Sequence, residues 1–378
     1  MSGITKGRRW YLGIGAGLSA ILAILFVCCS PTDPIRIGFV GGTSGRVADL
    51  GVAGRNGAQL AVELRNQADG VAGRRVELIV RDDEQNPEVV ERATRELIAQ
   101  NVAAIVGPMT SAMAMRMVPI ANEAKVLIVS PTVSTTDLSG RDDYFFRVMS
   151  STREHATKNA RYQLESPGLR RVAVAYDLAN RSYTESWLND FRDTFVQGGG
   201  AVARSLGFKS GGDTLFLPIA GELLASQPDG VLIIANSVDS ALLCQQIRKL
   251  DPHAPILVAE WGATERLIEL GGKAVEGVTA AQLFDRDNTT PAYRAFRQRY
   301  RDRFGQEPGF GGTAAFDAAN VVLEALARRR PGQSLKDVIQ ATRRFEGVQH
   351  PLDFDDYGDA RRATFITVVR DGQFIRID

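Results

Sequence analysis

Apolar and polar positions along this chain change period in a regular order. Residues 35–40 form an apolar run of strand length. Residues 51–66 place Ala58, Ala61 and Leu64 on one face at helical spacing. Val76, Leu78 and Val80 alternate as in a strand, and 87–100 reads as a charged amphipathic helix opened by Pro87. A strand at 103–106, a helix at 112–123 and a strand at 126–129 follow. The order then restarts with strand 171–176, helix 184–197, strand 201–207, helix 215–225, strand 230–235, helix 237–250 and strand 256–258. Helices are predicted at 291–304 and 313–328, and strands at 365–369 and 374–377. Strands separated by helices of this length call for parallel, doubly wound sheets, and two successive sets call for two α/β lobes.

Ahead of the first strand the pattern differs. Lys6, Arg8 and Arg9 precede an uncharged run from Trp10 to Val27, then Cys28-Cys29-Ser30-Pro31, and the first acid is Asp33. A basic segment followed by an apolar one is a secretion signal. Cysteines at its end point to lipoprotein processing, with Cys29 (or Cys28) acylated as the new N-terminus. Phe26 is bulky for a cut before Cys29, and Val27 for a cut before Cys28. The alternative is an uncleaved helical anchor, since the run approaches the ~20 residues that span a bilayer. Either reading puts the protein in the periplasm or at the cell surface, tethered to a membrane. Arg8-Arg9 also fits a twin-arginine signal weakly.

Composition narrows the function. Lys+Arg number 45 against 44 Asp+Glu, so the basic excess that a nucleic-acid partner requires is missing. Cys244 stands alone in the helical stretch 241–250, which leaves neither a disulfide framework nor a zinc ligand set and favours a small buried side chain. There is no Gly-x-Ser-x-Gly elbow and no His-Glu-x-x-His motif. The glycines of 38–45 do not fit the dinucleotide spacing, and no phosphate loop ends in Gly-Lys-Ser/Thr. Of the histidines His155, His253 and His350, the last two lie beside turn residues. Neither catalytic residues nor a metal or cofactor is expected, and the chain reads as a non-enzyme.

The candidate chemistry lies at strand ends, where ligands bind in open α/β sheets. Gly107-Pro108-Met109-Thr110-Ser111 follows the strand at 103–106, and Ser130-Pro131-Thr132-Val133-Ser134-Thr135-Thr136 follows the one at 126–129. Both loops are rich in hydroxyls and lead to helix N-termini, whose free N–H groups suit a carboxylate. Helix capping by Ser111 and Ser134 is the plainer use of such residues. In the second set, Asn236 ends the strand at 230–235, and Glu260-Trp261 follow the strand at 256–258. A lone Glu at a strand end is by default a surface charge. Facing the hydroxyl loops across a cleft, it complements an ammonium, and the two halves describe a receptor for a zwitterion.

Several segments, in order and spacing, resemble the leucine/isoleucine/valine-binding family of type I periplasmic solute-binding proteins that serve ABC importers. They are 35–40 with 41–51, Ile105-Val106-Gly107-Pro108, Ser130-Pro131-Thr132, Phe145-Phe146-Arg147, Ala315-Phe316-Asp317-Ala318 and Pro351-Leu352-Asp353-Phe354-Asp355. The resemblance implies two Rossmann-like lobes with parallel sheets joined by a three-crossover hinge. It places lobe 1 at 34–148 plus 283–349 and lobe 2 at 152–280 plus 353–378, after a signal peptide at 1–33. It implies Ser111, the backbone of Thr132, and Ser134 as carboxylate receivers, Glu260 as ammonium receiver, and Tyr183 as a residue closing over the ligand. Leu50 and Asn236 stand where the family has tyrosines, which puts a branched aliphatic ligand in question and favours a polar or, through Trp261, a flat side chain. The implied partners are an amino acid or amide-like ligand, ABC permease subunits and the membrane through a lipid anchor. A sensor of the same fold, signalling to a membrane partner, is the alternative.

Overall fold

The computed structural model describes residues 33–378. The secretion-signal and lipid-anchor readings, Cys28 and Cys29 included, lie outside the described residues. Within them no helix is long and apolar enough to cross a membrane.

The first sheet has the order β2-β1-β3-β4-β5, from β1 (Ile35–Gly41), β2 (Val76–Asp82), β3 (Ala104–Val106), β4 (Leu127–Ser130) and β5 (Phe145–Arg147), all parallel. Helices α1 (Ala48–Gln67), α2 (Pro87–Ala99) and α3 (Ser111–Ala124) connect the first four strands. Successive strand side chains point to opposite faces. Ile37, Phe39, Val106 and Val129 therefore join one core, and Val40, Ile105 and Ile128 join another with Leu97 of α2 and Met113 and Met117 of α3.

From β5 the chain crosses to a second sheet. Helix α4 (Thr152–Glu165) leads to β6 (Arg171–Asp177), α5 (Arg181–Gln197), β7 (Ala201–Phe208), α6 (Phe216–Ala225), β8 (Gly230–Ile234), α7 (Ser237–Leu250), β9 (Ile256–Val258), α8 (Glu265–Gly271) and β10 (Thr279–Gln282). Val172, Val174, Leu232 and Ile234 pack with Phe191 and Phe195 of α5. Val231 and Ile233, on the other face, pack with Leu223 of α6 and with Leu243 and Cys244 of α7.

The chain then returns to the first sheet through α9 (Pro291–Phe304), α10 (Gly309–Arg328) and α11 (Leu335–Thr342). Helix α10 lies so close to α1 that a Cβ on Gly57 would stand 2.1 Å from the carbonyl oxygen of Gly312, so only glycine fits there. Three short strands follow: β11 (Arg344–Phe345), β12 (Leu352–Phe354) and β13 (Ala360–Arg361). The last two, β14 (Phe365–Arg370) and β15 (Gln373–Arg376), extend the second sheet antiparallel, giving β15-β14-β10-β9-β8-β6-β7. The parallel α/β architecture read from the apolar pattern is the one observed.

Asp83, just past β2, is 1% exposed; its Oδ1 accepts from the Gln85 N–H at 2.8 Å and its Oδ2 has no partner. Burial, reinforced by the charges of Asp82 and Glu84, lifts its carboxyl to about 6. With the folded value above the unfolded one, its contribution to stability is fully present below about pH 4 and is lost as pH rises through about 6. Asp83→Asn keeps the Oδ1 bond and removes the charge. The variant is expected to gain less over the parent at pH 4.5 than at pH 8, where it is more stable by roughly 1–3 kcal/mol at one to two pKa units of relieved shift. Calorimetric melting at both values checks this, and an equal gain at both would show that charge burial is not the cause.

Candidate functional site

The carboxyl ends of the two sheets face each other across a narrow cavity of about 20 Å³. Its walls carry Leu50, Ser111, Thr132 and Ser134 from the first-sheet side and Tyr183, Glu260 and Trp261 from the second. Those are seven of the eight ligand residues read from the sequence. Asn236 does not line the cavity. It caps α7, accepting from the Asp239 N–H at 3.0 Å and donating to Asp239 Oδ2 at 2.8 Å and Ser210 Oγ at 3.2 Å. Its amide is satisfied within its own surroundings, so the structural reason for expecting a polar ligand side chain falls away.

Neither Ser111 nor Ser134 is spent on capping. The N-cap of α3 is Thr110, without a side-chain bond, and Ser111 is the first helical residue. Ser111 Oγ accepts from the Thr135 N–H at 3.3 Å. The short turn after Ser134 is capped by Thr135, whose Oγ1 accepts from the Asp137 N–H. Thr132 donates its hydroxyl to the Met109 carbonyl at 2.6 Å. Ser134 Oγ, in a residue 1% exposed, has no partner.

Opposite them, Glu260 is 5% exposed. Its Oε2 accepts from Trp187 Nε1 at 2.8 Å, and its Oε1 has no partner. Trp187 lies one helical turn beyond Tyr183 on α5 and is fully buried, so it fixes the carboxylate's direction. The Tyr183 ring stands edge-on to Trp261, with centroids 5.6 Å apart, and its hydroxyl is also unpartnered. Burial first, and then the Glu260 charge, push that hydroxyl well above its ordinary pKa, so it stays protonated.

The rest of the lining is Met109, Thr110, Met149, Asn180 and Phe310. Met109 and Thr110 lie in the first hydroxyl loop without having been named as site residues, and Met149, Asn180 and Phe310 were missed. Met109, Met149 and Phe310, with Leu50 and Trp261, give the cavity its apolar surface. Asn180 reaches across the cavity, its Oδ1 accepting from the Ala112 N–H at 2.9 Å, and so occupies one of the free donors at the start of α3. Trp187 was also missed, although its i, i+4 spacing to Tyr183 is a signal that points to it. Phe310 was hidden because α10 begins at Gly309, among glycines, four residues before the apolar period at 313.

Chemically, the site offers a hydroxyl and helix-end donors on one wall, a fixed carboxylate oxygen on the other, and an apolar surround. The family described as periplasmic binding protein matches residues 34–375. The leucine-, isoleucine-, valine-, threonine- and alanine-binding protein of Pseudomonas aeruginosa is 23% identical over 338 residues, covering 88% of this chain and 89% of the relative. The crystal structure of a leucine-binding protein from Thermotoga maritima superposes with a TM-score of 0.83 at 27% identity, covering 91% of this chain and 98% of that one. A branched-chain amino-acid transporter binding protein from Streptococcus pneumoniae, in complex with isoleucine, gives a TM-score of 0.83 at 23% identity, covering 91% and 100%.

Proposed function

The chain belongs to the periplasmic binding protein family, and on that premise we propose that it captures an amino acid with an apolar side chain and delivers it to an ABC importer. One observation carries the ligand class. Ser134 Oγ, Tyr183 Oη and Glu260 Oε1 are all buried, all lack a partner, and all line one cavity whose other walls are largely apolar. A buried polar group left unpaired costs ~1–3 kcal/mol. An α-amino acid relieves the costs at Ser134 and Glu260 together. Its carboxylate takes the Ser134 hydroxyl, with Ser111 and the backbone at Thr132. Its ammonium takes Glu260 Oε1, and its side chain lies against Leu50, Met109, Met149, Phe310 and Trp261. The relatives from Pseudomonas aeruginosa and Thermotoga maritima, named for leucine and similar amino acids, support this reading.

The proposal includes two lobes, 34–148 plus 283–349 and 152–280 plus 353–378; it is supported by the strands of 35–147 forming one sheet and those of 171–282 with 365–376 another. It also includes export and a lipid tether at Cys29, supported by the basic, apolar and cysteine order of the N-terminus. The mass of the mature N-terminal peptide tests the tether.

A melting screen of the purified protein tests the ligand class. Leucine, isoleucine or valine at a hundredfold excess over the dissociation constant is expected to stabilise by about 2.7 kcal/mol, a rise of a few degrees. Benzoate, which brings a carboxylate and no ammonium to face Glu260, is expected to give a smaller shift. A response to sugars or to benzoate alone would overturn the amino-acid reading.

A further inference from the structure

Away from the ligand cavity, two neighbouring charged residues of the first-sheet side reach into the second. Arg46 donates through Nη1 to Asp239 Oδ1 at 2.5 Å and through Nη2 to the Gly211 carbonyl at 2.7 Å. Asp49 accepts with Oδ2 from Ser237 Oγ at 2.6 Å and from Thr264 Oγ1 at 2.8 Å. None of these six residues lines the cavity. Both charges meet the start of α7: Ser237 is its first residue, and Asp239 lies in its first turn.

The receiving side is built. Asp239 is fully buried, and Asn236 holds it from two directions, bonding its N–H and its Oδ2. The Asp49 carboxylate arrives where a helix N-terminus favours negative charge. Arg46 and Asp49 themselves are only partly buried, and each stands on a short segment at or before the start of α1. Removing them hollows no core, and when the lobes part both ends can be hydrated.

We propose that Arg46 and Asp49 form a latch that holds the cleft closed independently of ligand. The inference rests on the two-lobe reading above. These contacts exist only in the closed arrangement, so they shift the closing equilibrium by their full differential free energy. Whatever ligand fits the cavity is then bound more tightly and released more slowly, although the latch never touches it. The latch residues position the lobes; they do not recognise the ligand.

Small-angle scattering of the ligand-free protein tests this directly, comparing the parent with Arg46→Gln/Asp49→Asn. The variant is expected to have the larger radius of gyration. Leucine, as the kinetic probe, is expected to leave the variant roughly tenfold faster, equivalent to ~1.4 kcal/mol, and the ligand-free fold is expected to melt somewhat earlier, because the latch bonds belong to its closed state. If the double variant folds poorly, Arg46→Gln alone serves. A radius identical in parent and variant overturns the latch. If leucine binds neither protein, the amino-acid reading fails while scattering still decides the latch.

Discussion

Glu260→Gln is expected to weaken amino-acid binding roughly 10- to 150-fold, as one charged hydrogen bond of ~1.5–3 kcal/mol is lost. The geometry makes the isosteric change more damaging than its size suggests. Glu260 has two acceptor oxygens with separate tasks: Oε2 takes the Trp187 indole N–H, and Oε1 is left for the cavity. Glutamine has one oxygen. If that oxygen keeps the Trp187 bond, the new amide NH₂ points at the ligand ammonium, donor against donor. If it turns to the ammonium, the fully buried Trp187 N–H loses its acceptor. Neither arrangement satisfies both partners. The fold should survive, because Trp187 packs mainly through its ring, stacked on Phe191 at 5.5 Å. Calorimetric titration with the best amino acid from the melting screen measures the effect. An unchanged dissociation constant would remove Glu260 from the site.

What the sequence made legible follows from where its signals are strong. Helix α7 was bounded to the residue because its apolar positions recur at helical spacing. Helix α9 was equally clear, with Pro291 at its start and Gly305 in the left-handed conformation at its end. Helix α4 left nothing to read. Its buried face is Thr152, His155, Ala156, Asn159, Ala160, Gln163 and Leu164, mostly polar or small, so no apolar period marks it. Strand β5 has only three residues, and its place is set by pairing with β4.

The site divides in the same way. Ser111, Thr132, Ser134, Glu260 and Trp261 sit where strands end, and parallel sheets direct strand ends to one cleft. Asn236 also sits at a strand end, yet the α7 N-terminus consumes its amide, and position alone does not reveal that competition. Asn180, Met109, Met149 and Phe310 come together only once both halves are folded.

Arg362→Met is expected to destabilise the protein by about 3–5 kcal/mol, the usual cost of stranding one partner of a buried ion pair. The pair is Arg362 Nη2 with Asp317 Oδ2 at 2.6 Å, with side chains only 5% and 1% exposed. Around it the chain's passages between the two sheets are bonded together. Arg362 Nε donates to the Val148 carbonyl at 2.5 Å, and the Arg362 N–H donates to Ser150 Oγ at 2.7 Å, both in the segment after β5. Asp317 Oδ1, on α10, accepts from the Val348 N–H at 3.0 Å, in the segment after β11. Methionine fills much of the arginine's volume but supplies no donor, so Asp317 is left charged without its cation and the Val148 carbonyl loses a donor. The melting temperature should fall by several degrees.

A paired change separates charge burial from packing. In Arg362→Met/Asp317→Leu both charges are gone, and apolar replacement of a buried pair is often close to neutral. The double variant is therefore expected to recover much of the loss, although the Val348 N–H then lacks its acceptor. Denaturant melts of the parent, both single variants and the double variant give the coupling energy. Additive losses across that cycle would show that the two side chains act separately and that no ion pair ties the crossing segments together.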